Sequence, residues 1–224
     1  MQVATQVTIQ CREHCLPASL VAPAQPVGVV ILAHGSGTSR NSLRSRFLAR
    51  QLQKVGLVAL LVDLLDEYEA HDRHNVFDIE LLAERLIQTL HWVRTQPRIS
   101  LLPIGFFGQG IGATAALLAA AREPYRVSAV VASAGRPDII HFWLPRVKAP
   151  TLLIVGECDT LALECNRQAF ELLGAEKKLV VVPRATHLFE EPGALGIAAR
   201  HAGRWFARHL TAAQGHSNVE SAPQ

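Results

Sequence analysis

Three segments of the chain carry residue types that could perform nucleophilic or acid–base chemistry. GFFGQGIGAT, which begins at Gly105, places glycine at positions 108, 110 and 112 between an apolar run and an alanine-rich run. GECD ends in Asp159, and PRATH ends in His187. A carboxylate that orients a histidine, which in turn activates a nucleophile on a tight turn, is an arrangement that acyl-transfer enzymes use. The glycine-rich segment is therefore a candidate for such a turn.

The glycine-rich segment fits two motifs. Gly108, Gly110 and Ala113 satisfy the dinucleotide-binding pattern G-x-G-x-x-G/A, whereas Gly108 and Gly112 frame the nucleophile elbow G-x-S-x-G with glycine in the place of serine. The dinucleotide pattern usually opens a fold, and an acidic residue ends the next strand. Here the turn lies deep in the chain, and the next apolar run, RVSAVVAS, ends at Ser133 without a carboxylate. The elbow is therefore the better interpretation.

The elements that must position these residues follow from alternating patterns. Nearly continuous apolar runs, such as VVILAH, LVALLVDLL and TLLIVG, alternate with amphipathic runs such as FDIELLAERLIQTLHWVRTQ. Asn41 is the predicted N-cap of the helix SLRSRFLARQLQKVG, and Gly56 is its predicted stop. Buried strands that alternate with helices indicate an α/β fold with a mostly parallel sheet of about seven or eight strands and helices on both faces. We predict a single domain over residues 1–211 and a disordered tail over 212–224.

The candidate segments all follow apolar runs, so a parallel sheet would gather them at one edge. AHGSG, from Ala33 to Gly37, follows the first buried run and can present a backbone N–H to an oxyanion. The elbow, Asp159 and His187 follow later runs in that order. The order of oxyanion loop, elbow, acid and histidine is the one that the elbow motif requires. The sequence therefore favours hydrolase chemistry over dinucleotide binding.

These segments make the chain resemble the α/β-hydrolase fold and, within it, a subgroup related to the dienelactone hydrolases. HGSGTSR, LLVDLL, GFFGQGIGAT, GRPD, LLIVGECD and ATHLFEEPG carry the resemblance, which extends over residues 27–210. The resemblance implies an oxyanion hole built from the backbone of Ser36 and Ile111. It also implies a catalytic acid at Asp159 and a general base at His187.

The departure from the family pattern lies at its centre, where relatives carry serine or cysteine and this chain carries Gly110. Glycine adopts a strained turn without steric cost but supplies no nucleophilic atom. We expect the turn to fold, the acyl-enzyme route to be lost, and Gly110→Ser to restore a Ser-Asp-His triad. A water molecule in the vacated space, activated by His187, is a further hypothesis. Ser36 and Ser133 lack the projection of the elbow, and Cys158 follows a different apolar run, beside the acid, so we do not expect any of them to substitute.

Two functions of different classes stay open at this point. One is a hydrolase of carboxylic esters, thioesters or lactones that is inactive or very weak with Gly110. The other is a non-catalytic protein that keeps the pocket and binds a ligand or partner there. Among partners, we predict a small-molecule substrate and no nucleic acid, because the basic residues look scattered and the net charge is +3. We also predict no membrane partner, because no apolar run approaches the ~20 residues of a membrane span.

Composition and spacing lead to four further expectations. We predict no cofactor and no metal, because the cysteines at 11, 15, 158 and 165 lack the spacing of zinc motifs. The start MQVATQVTIQ lacks the basic and apolar regions of a signal peptide, so we expect a cytoplasmic protein. The pocket walls are expected to come from LDEYEAHDRHNV and GRPDIIHFWLPRV, with Phe142 and Trp143 as an apolar wall. Arg136 and Arg146 are candidate partners of a substrate carboxylate. The oligomeric state is not predicted.

Overall fold

A single eight-stranded sheet organises the protein. The computed structural model describes residues 4–34 and 39–211. The strands are β1 (Thr5–Cys11), β2 (His14–Val21), β3 (Gly28–Ala33), β4 (Leu57–Val62), β5 (Ile104–Gln109), β6 (Ala129–Ser133), β7 (Thr151–Gly156) and β8 (Lys177–Val182). Their order across the sheet is β1-β2-β4-β3-β5-β6-β7-β8. Pairing is antiparallel from β1 to β2 and from β2 to β4, and it is parallel across the rest of the sheet.

Helices cover both faces of this sheet. They are α1 (Leu43–Lys54), α2 (Arg73–Phe77), α3 (Ile79–Arg94), α4 (Ile111–Arg122), α5 (Thr160–Leu172) and α6 (Ala194–Thr211). Short 3₁₀ helices lie at Glu69–His71, Pro137–Ile140 and Leu144–Arg146. Side chains of β3 alternate between the two cores: Val29 and Ile31 belong to the core on the side of α3, α4 and α5, whereas Val30 and Leu32 belong to the core on the side of α1 and α6. This alternation explains why the strand reads as a continuous apolar run.

The predicted fold is confirmed, namely a mostly parallel sheet of seven or eight strands with helices on both faces. The predicted N-cap at Asn41 is wrong by one residue. Ser42 precedes α1 instead, and its side-chain oxygen accepts a hydrogen bond from the N–H of Ser45 at 3.1 Å. Gly56 follows α1 with a φ of +82°, as expected of a helix stop.

The register of the parallel strands brings the ends of the candidate segments to one edge. Ala33 at the end of β3 pairs with Gly108 of β5, and Gly156 at the end of β7 pairs with Val182 at the end of β8. The loops after β3, β5, β7 and β8 therefore leave the sheet from the same edge.

Two further sequence predictions concern the C-terminal tail and membrane spans. The predicted disordered tail over 212–224 lies outside the described residues. Over residues 4–34 and 39–211, each helix is too short or too polar to serve as a membrane span.

Candidate active site

The turn between β5 and α4 has the backbone conformation of a strained elbow. Gly110 lies at its apex with φ 57° and ψ −124°, a backbone conformation that residues other than glycine rarely adopt. Its N–H donates to the carbonyl oxygen of Ser133 at 2.9 Å, which fixes the turn against β6. A Cβ on Gly108 would lie 2.2 Å from the carbonyl oxygen of Gly112, and a Cβ on Gly112 would lie 2.7 Å from that of Ala33. The flanking glycines are therefore required by close backbone packing.

The structure brings the predicted acid and base together. The Nδ1 atom of His187 lies 2.7 Å from Oδ2 of Asp159. The Asp159 side chain is 15% exposed and that of His187 is 50% exposed. A carboxylate at Nδ1 favours the tautomer that carries the proton there, which leaves Nε2 to accept a proton from a nucleophile. Asp159 is also the N-cap of α5, since its Oδ1 accepts from the N–H of Ala162 at 3.4 Å.

The loops that carry these two residues are joined backbone to backbone. The N–H of Glu157 donates to the carbonyl oxygen of Val182 at 3.0 Å, and the N–H of Cys158 donates to that of Ala185 at 2.9 Å. The N–H of Arg184 donates to the Glu157 carboxylate at 2.7 Å. A Cβ on Gly156 would lie 2.3 Å from the carbonyl oxygen of Ala185, so only glycine permits this approach. The distance between Asp159 and His187 is therefore set by main-chain contacts as well as by their own hydrogen bond.

A second hydrogen bond stabilises the loop between His187 and α6. The hydroxyl of Thr186 donates to Oε1 of Glu191 at 2.6 Å. This bond, above all, holds the pKa of Glu191 below its ordinary value. Glu191 therefore remains ionised at neutral pH and closes the loop that carries His187.

Gly110, Ile111 and His187 line one cleft, which has a volume of about 290 Å³. Its apolar side is formed by Phe77, Ile139 and Leu188. The remaining lining residues are Gln109, Thr114, Ala134 and Arg136. The cleft therefore combines the turn, the histidine and an apolar wall.

The predicted apolar wall of Phe142 and Trp143 is wrong. Neither residue lines the cleft: Phe142 is 82% exposed, and Trp143 lies under the guanidinium groups of Arg122 and Arg146 at 5.1 Å and 4.8 Å. The segment GRPDIIHFWLPRV does contribute to the wall, but through Ile139. The 3₁₀ helix at Pro137–Ile140 turns this isoleucine toward the cleft and carries the aromatic pair away from it.

Arg136 reaches the cleft but is already paired. Its Nε and one terminal nitrogen donate to the two carboxylate oxygens of Asp138 at 2.9 Å and 2.8 Å. These hydrogen bonds hold the pKa of Asp138 below its ordinary value. The other predicted partner of a substrate carboxylate, Arg146, is not among the lining residues of the cleft. The described cleft therefore offers little net positive charge to an anionic substrate.

The start of α4 provides one of the two predicted oxyanion donors. Ile111 is the first residue of α4 and lines the cleft. The N–H groups of a helix's first turn have no acceptor within the helix, and they lie at the positive end of its dipole. A developing oxyanion is favoured at such a position. The other predicted donor, Ser36, lies outside the described residues.

Sequence reasoning missed a carboxylate that joins the two sides of the loop after β3. Asp63 follows β4 directly, and its Oδ1 lies 2.8 Å from Nε2 of His34 and accepts from the N–H of Arg40 at 3.0 Å. Its Oδ2 accepts from the guanidinium group of Arg40. Burial alone raises the pKa of Asp63, but the hydrogen bonds from His34 and Arg40 outweigh it and lower that pKa. In the sequence, Asp63 was visible as an acidic residue directly after the apolar run LVALLV.

Asp63→Asn is expected to lower the free energy of unfolding at pH 7 by about 2 kcal/mol, because it weakens the hydrogen bonds of a carboxylate to the partly buried side chains of His34 and Arg40. Since the folded-state pKa of Asp63 is depressed, its contribution is present above the ordinary carboxyl pKa and is lost as pH falls through the folded-state value. The difference between the two proteins should therefore shrink below about pH 4. Urea unfolding between pH 3 and pH 7 measures this, with the exposed Glu13→Gln as the matched control. An equal loss at every pH would contradict it.

Thr114 is the one hydroxyl among the described residues that line the cleft. It is fully buried, and its Oγ1 accepts from the N–H of Arg136 at 3.2 Å. Cys158 is exposed but is not part of the lining. Ser133 is buried and is likewise absent from it. The described cleft therefore holds the histidine, which contacts Asp159 behind it, without a side chain placed to act as nucleophile.

Within the described residues, His14, Asp66 and Glu69 are the group whose atoms could approach a metal ion together. His14 lies 2.8 Å from Asp66, and Glu69 pairs with the buried Arg85 at 2.7 Å. A guanidinium group that already neutralises Glu69 disfavours a second cation there. We therefore assign this cluster a structural role, which is to tie the 3₁₀ helix at Glu69–His71 to β2. That no metal or cofactor is needed stays a prediction.

Comparison with known proteins places this geometry in a family. The model of the dienelactone hydrolase family matches residues 16–211. The crystal structure of a dienelactone hydrolase from Anabaena variabilis is 46% identical and superposes with a TM-score of 0.91, covering 93% of this chain and 98% of that one. Est1E from Butyrivibrio proteoclasticus is 15% identical with a TM-score of 0.79, covering 92% of this chain and 98% of that one, which shows a shared fold.

Curated relatives in two strains of Mycobacterium tuberculosis, CDC 1551 and H37Rv, have names that provisionally assign them to the phosphoribosyl transferases. Each is 51% identical to this chain over 191 residues, which is 85% of this chain. The chain spans 43% of the length of those relatives, so more than half of each lies outside the match.

Proposed function

Because the chain belongs to the dienelactone hydrolase family and has its α/β-hydrolase fold, we propose that it is a scaffold for the hydrolysis of carboxylic esters, thioesters or lactones in which Gly110 replaces the nucleophile. The observation that carries the proposal is the 2.7 Å contact between Asp159 and His187. His187 shares a cleft with the elbow turn and the start of α4. In this proposal residues 1–211 act as one domain.

The proposed roles combine the geometry of the described cleft with what the family resemblance implies for position 110 and for Ser36. A hydroxyl introduced at position 110 attacks the ester carbonyl carbon while Nε2 of His187 takes its proton. The carbonyl oxygen becomes an oxyanion and is stabilised by the N–H of Ile111, together with that of Ser36. The tetrahedral intermediate then expels the alcohol, which receives the proton from His187. Water, deprotonated by the same histidine, releases the acid and restores the hydroxyl.

With Gly110 in place this covalent route is closed, and the protein is inactive or very weak. The remaining route is direct attack by a water molecule that His187 deprotonates. In a triad hydrolase that lacks its nucleophile, the oxyanion hole and substrate binding still accelerate hydrolysis by roughly 10³–10⁴ over water. We assign this acceleration as the upper limit for ester hydrolysis by the protein with Gly110.

The cleft favours a neutral substrate with an apolar group. Phe77, Ile139 and Leu188 offer an apolar wall, and Arg136 is neutralised by Asp138. A second cleft of about 500 Å³ also contacts Ile111 and contains Asp63 and Asp66. An ester can place its acyl and alcohol parts in these two clefts. In the second cleft Asp63 is paired with Arg40, and the carboxylates of Asp66 and Glu67 disfavour an anionic group.

Gly110→Ser tests the proposal, with Gly110→Ala as the matched control that adds a Cβ without a hydroxyl. We expect the serine variant to hydrolyse p-nitrophenyl butyrate with a kcat/KM at least about 10³-fold above the glycine protein. It should also be labelled by a fluorophosphonate probe. The glycine and alanine proteins should not be labelled, and they should hydrolyse the ester at least about 10³-fold more slowly than the serine variant. If the serine variant folds, as circular dichroism would show, and stays inert to both reagents, the proposal is wrong and a binding role becomes the better one.

We propose no transferase activity from the name of the mycobacterial relatives. It belongs to proteins of which this chain covers 43%, and the matched region is the hydrolase-like one. The hydrolase scaffold accounts for the described cleft without it.

A further inference from the structure

A groove between α1 and the β1–β2 pair is separate from the elbow, Asp159 and His187. It has a volume of about 540 Å³. Helix α1 lines one side with Arg46, Ala49, Arg50, Gln53 and Lys54. The remaining lining residues are Ala4, Gln6, Ser19, Val21, Arg40, Asn41 and Leu61. We call it the α1 groove.

The charge of α1 has a single sign. Its sequence, LRSRFLARQLQK, contains three arginines and a lysine and no acidic residue. Arg46, Arg50 and Lys54 recur every four residues, so they share one face of the helix and spread over about 12 Å. All three line the groove, and no carboxylate is among its described lining residues. The ion pairs formed by the described residues do not involve these three cations.

This placement of charge is unfavourable for the helix itself. Like charges four residues apart repel each other. Arg44 and Arg46 also lie in the first turn of α1, where the helix dipole disfavours positive charge. A bound anion would relieve both sources of repulsion.

The side of the groove opposite α1 carries the neutral polar side chains of Gln6 and Ser19 next to the apolar Val21 and Leu61. On β1, Ile9 and Cys11 point into the core on the α3 side, so that Gln6 projects from the opposite face. The hydroxyl of Ser19 donates to the side-chain oxygen of Gln6 at 3.1 Å. Arg40 lies at the groove but is paired with Asp63. Hydrogen-bonding groups therefore lie opposite the three cations of α1.

We propose that the α1 groove binds a small ligand that carries a diphosphate or longer phosphate chain. The volume lies within the range of small-molecule sites, about 300–1,000 Å³. Two guanidinium groups and an ammonium group in a row match several phosphate charges in a row better than they match a single carboxylate. The amide and hydroxyl groups on the side opposite α1 suit the polar remainder of such a ligand. The proposal does not depend on the triad.

Isothermal titration calorimetry of the whole protein with ADP, and separately with inorganic tripolyphosphate, tests this inference. We expect saturable binding of both at low ionic strength, weakened by 0.5 M NaCl because exposed charges are screened. The double variant Arg46→Gln/Arg50→Gln should bind each probe at least about tenfold more weakly, since it loses charge-assisted hydrogen bonds. The matched control is Arg98→Gln/Lys148→Gln, which removes the same net charge elsewhere and should bind as the parent does.

Three results would overturn the inference. The first is the absence of saturable binding to either probe. The second is equal weakening in both double variants, which would assign the effect to net charge rather than to the groove. The third is displacement of ADP by a lower concentration of an oligonucleotide such as dT20, which would identify a polynucleotide surface. Because esterase activity enters none of these readouts, failure here is distinguishable from failure of the proposed hydrolase.

Discussion

His187→Gln, introduced into the Gly110→Ser variant, is expected to lower kcat for p-nitrophenyl butyrate by about 10⁴- to 10⁶-fold. Glutamine keeps a polar side chain near Asp159 but cannot take the proton of the introduced hydroxyl at neutral pH. The fall should appear in kcat rather than in KM, because the histidine acts in the transition state. Stopped-flow measurement of p-nitrophenol release gives both constants.

The matched control is His74→Gln in the same background. The His74 side chain is 99% exposed and belongs to α2, outside the lining of the cleft. It should leave kcat within a factor of about two, as expected of a surface change away from the site. If the His187 variant retained activity within tenfold of its parent, another group would have to be the base, and the role proposed for the Asp159–His187 pair would be wrong.

Gly108→Ala is expected to lower the free energy of unfolding by about 3 kcal/mol or more, because it places a methyl group inside packed backbone. The added Cβ would lie 2.2 Å from the carbonyl oxygen of Gly112 and 2.4 Å from the Cα of Ala113. Neither atom can move without displacing the start of α4. Urea unfolding followed by circular dichroism measures the loss, and in the Gly110→Ser background it should be accompanied by loss of esterase activity.

Gly174→Ala is the matched control for this substitution. Its Cβ would meet no atom within 4 Å, and Gly174 is not among the glycines with a positive φ. We expect it to be neutral or slightly stabilising, since alanine restricts the unfolded chain. Equal effects of the two substitutions would show that the close approach at Gly108 does not constrain the turn.

Hydrophobic patterning was sufficient to predict the class of fold. Strands buried on both faces read as continuous apolar runs, and LVALLV and TLLIVG became β4 and β7. The family assignment drawn from segments such as LLIVGECD is likewise confirmed. The exact helix start was less certain because Asn41 and Ser42 are both good caps, and the choice depends on which oxygen reaches the N–H of Ser45.

The positions of site residues were predictable where they depend on the order of strands along the chain. They were harder to predict where they depend on the direction in which a side chain points. Asp159 and His187 meet because parallel strands release their loops at one edge, which the order of segments already implied. Asp63 was missed because its partners, His34 and Arg40, are far from it in sequence. Phe142 was misplaced because a 3₁₀ turn two residues earlier decides which of several apolar side chains faces the cleft.

Asp159 performs two tasks with one carboxylate, and this has an evolutionary consequence. One oxygen begins α5 and the other holds His187. In a lineage in which catalysis is no longer selected, substitutions of Asp159 would still be removed, because they weaken a helix start. His187, half exposed and bonded through its ring to Asp159, has no comparable structural role among its described contacts. Neutral drift would therefore erase the histidine first, so its presence is the more informative record of past or present selection for hydrolysis.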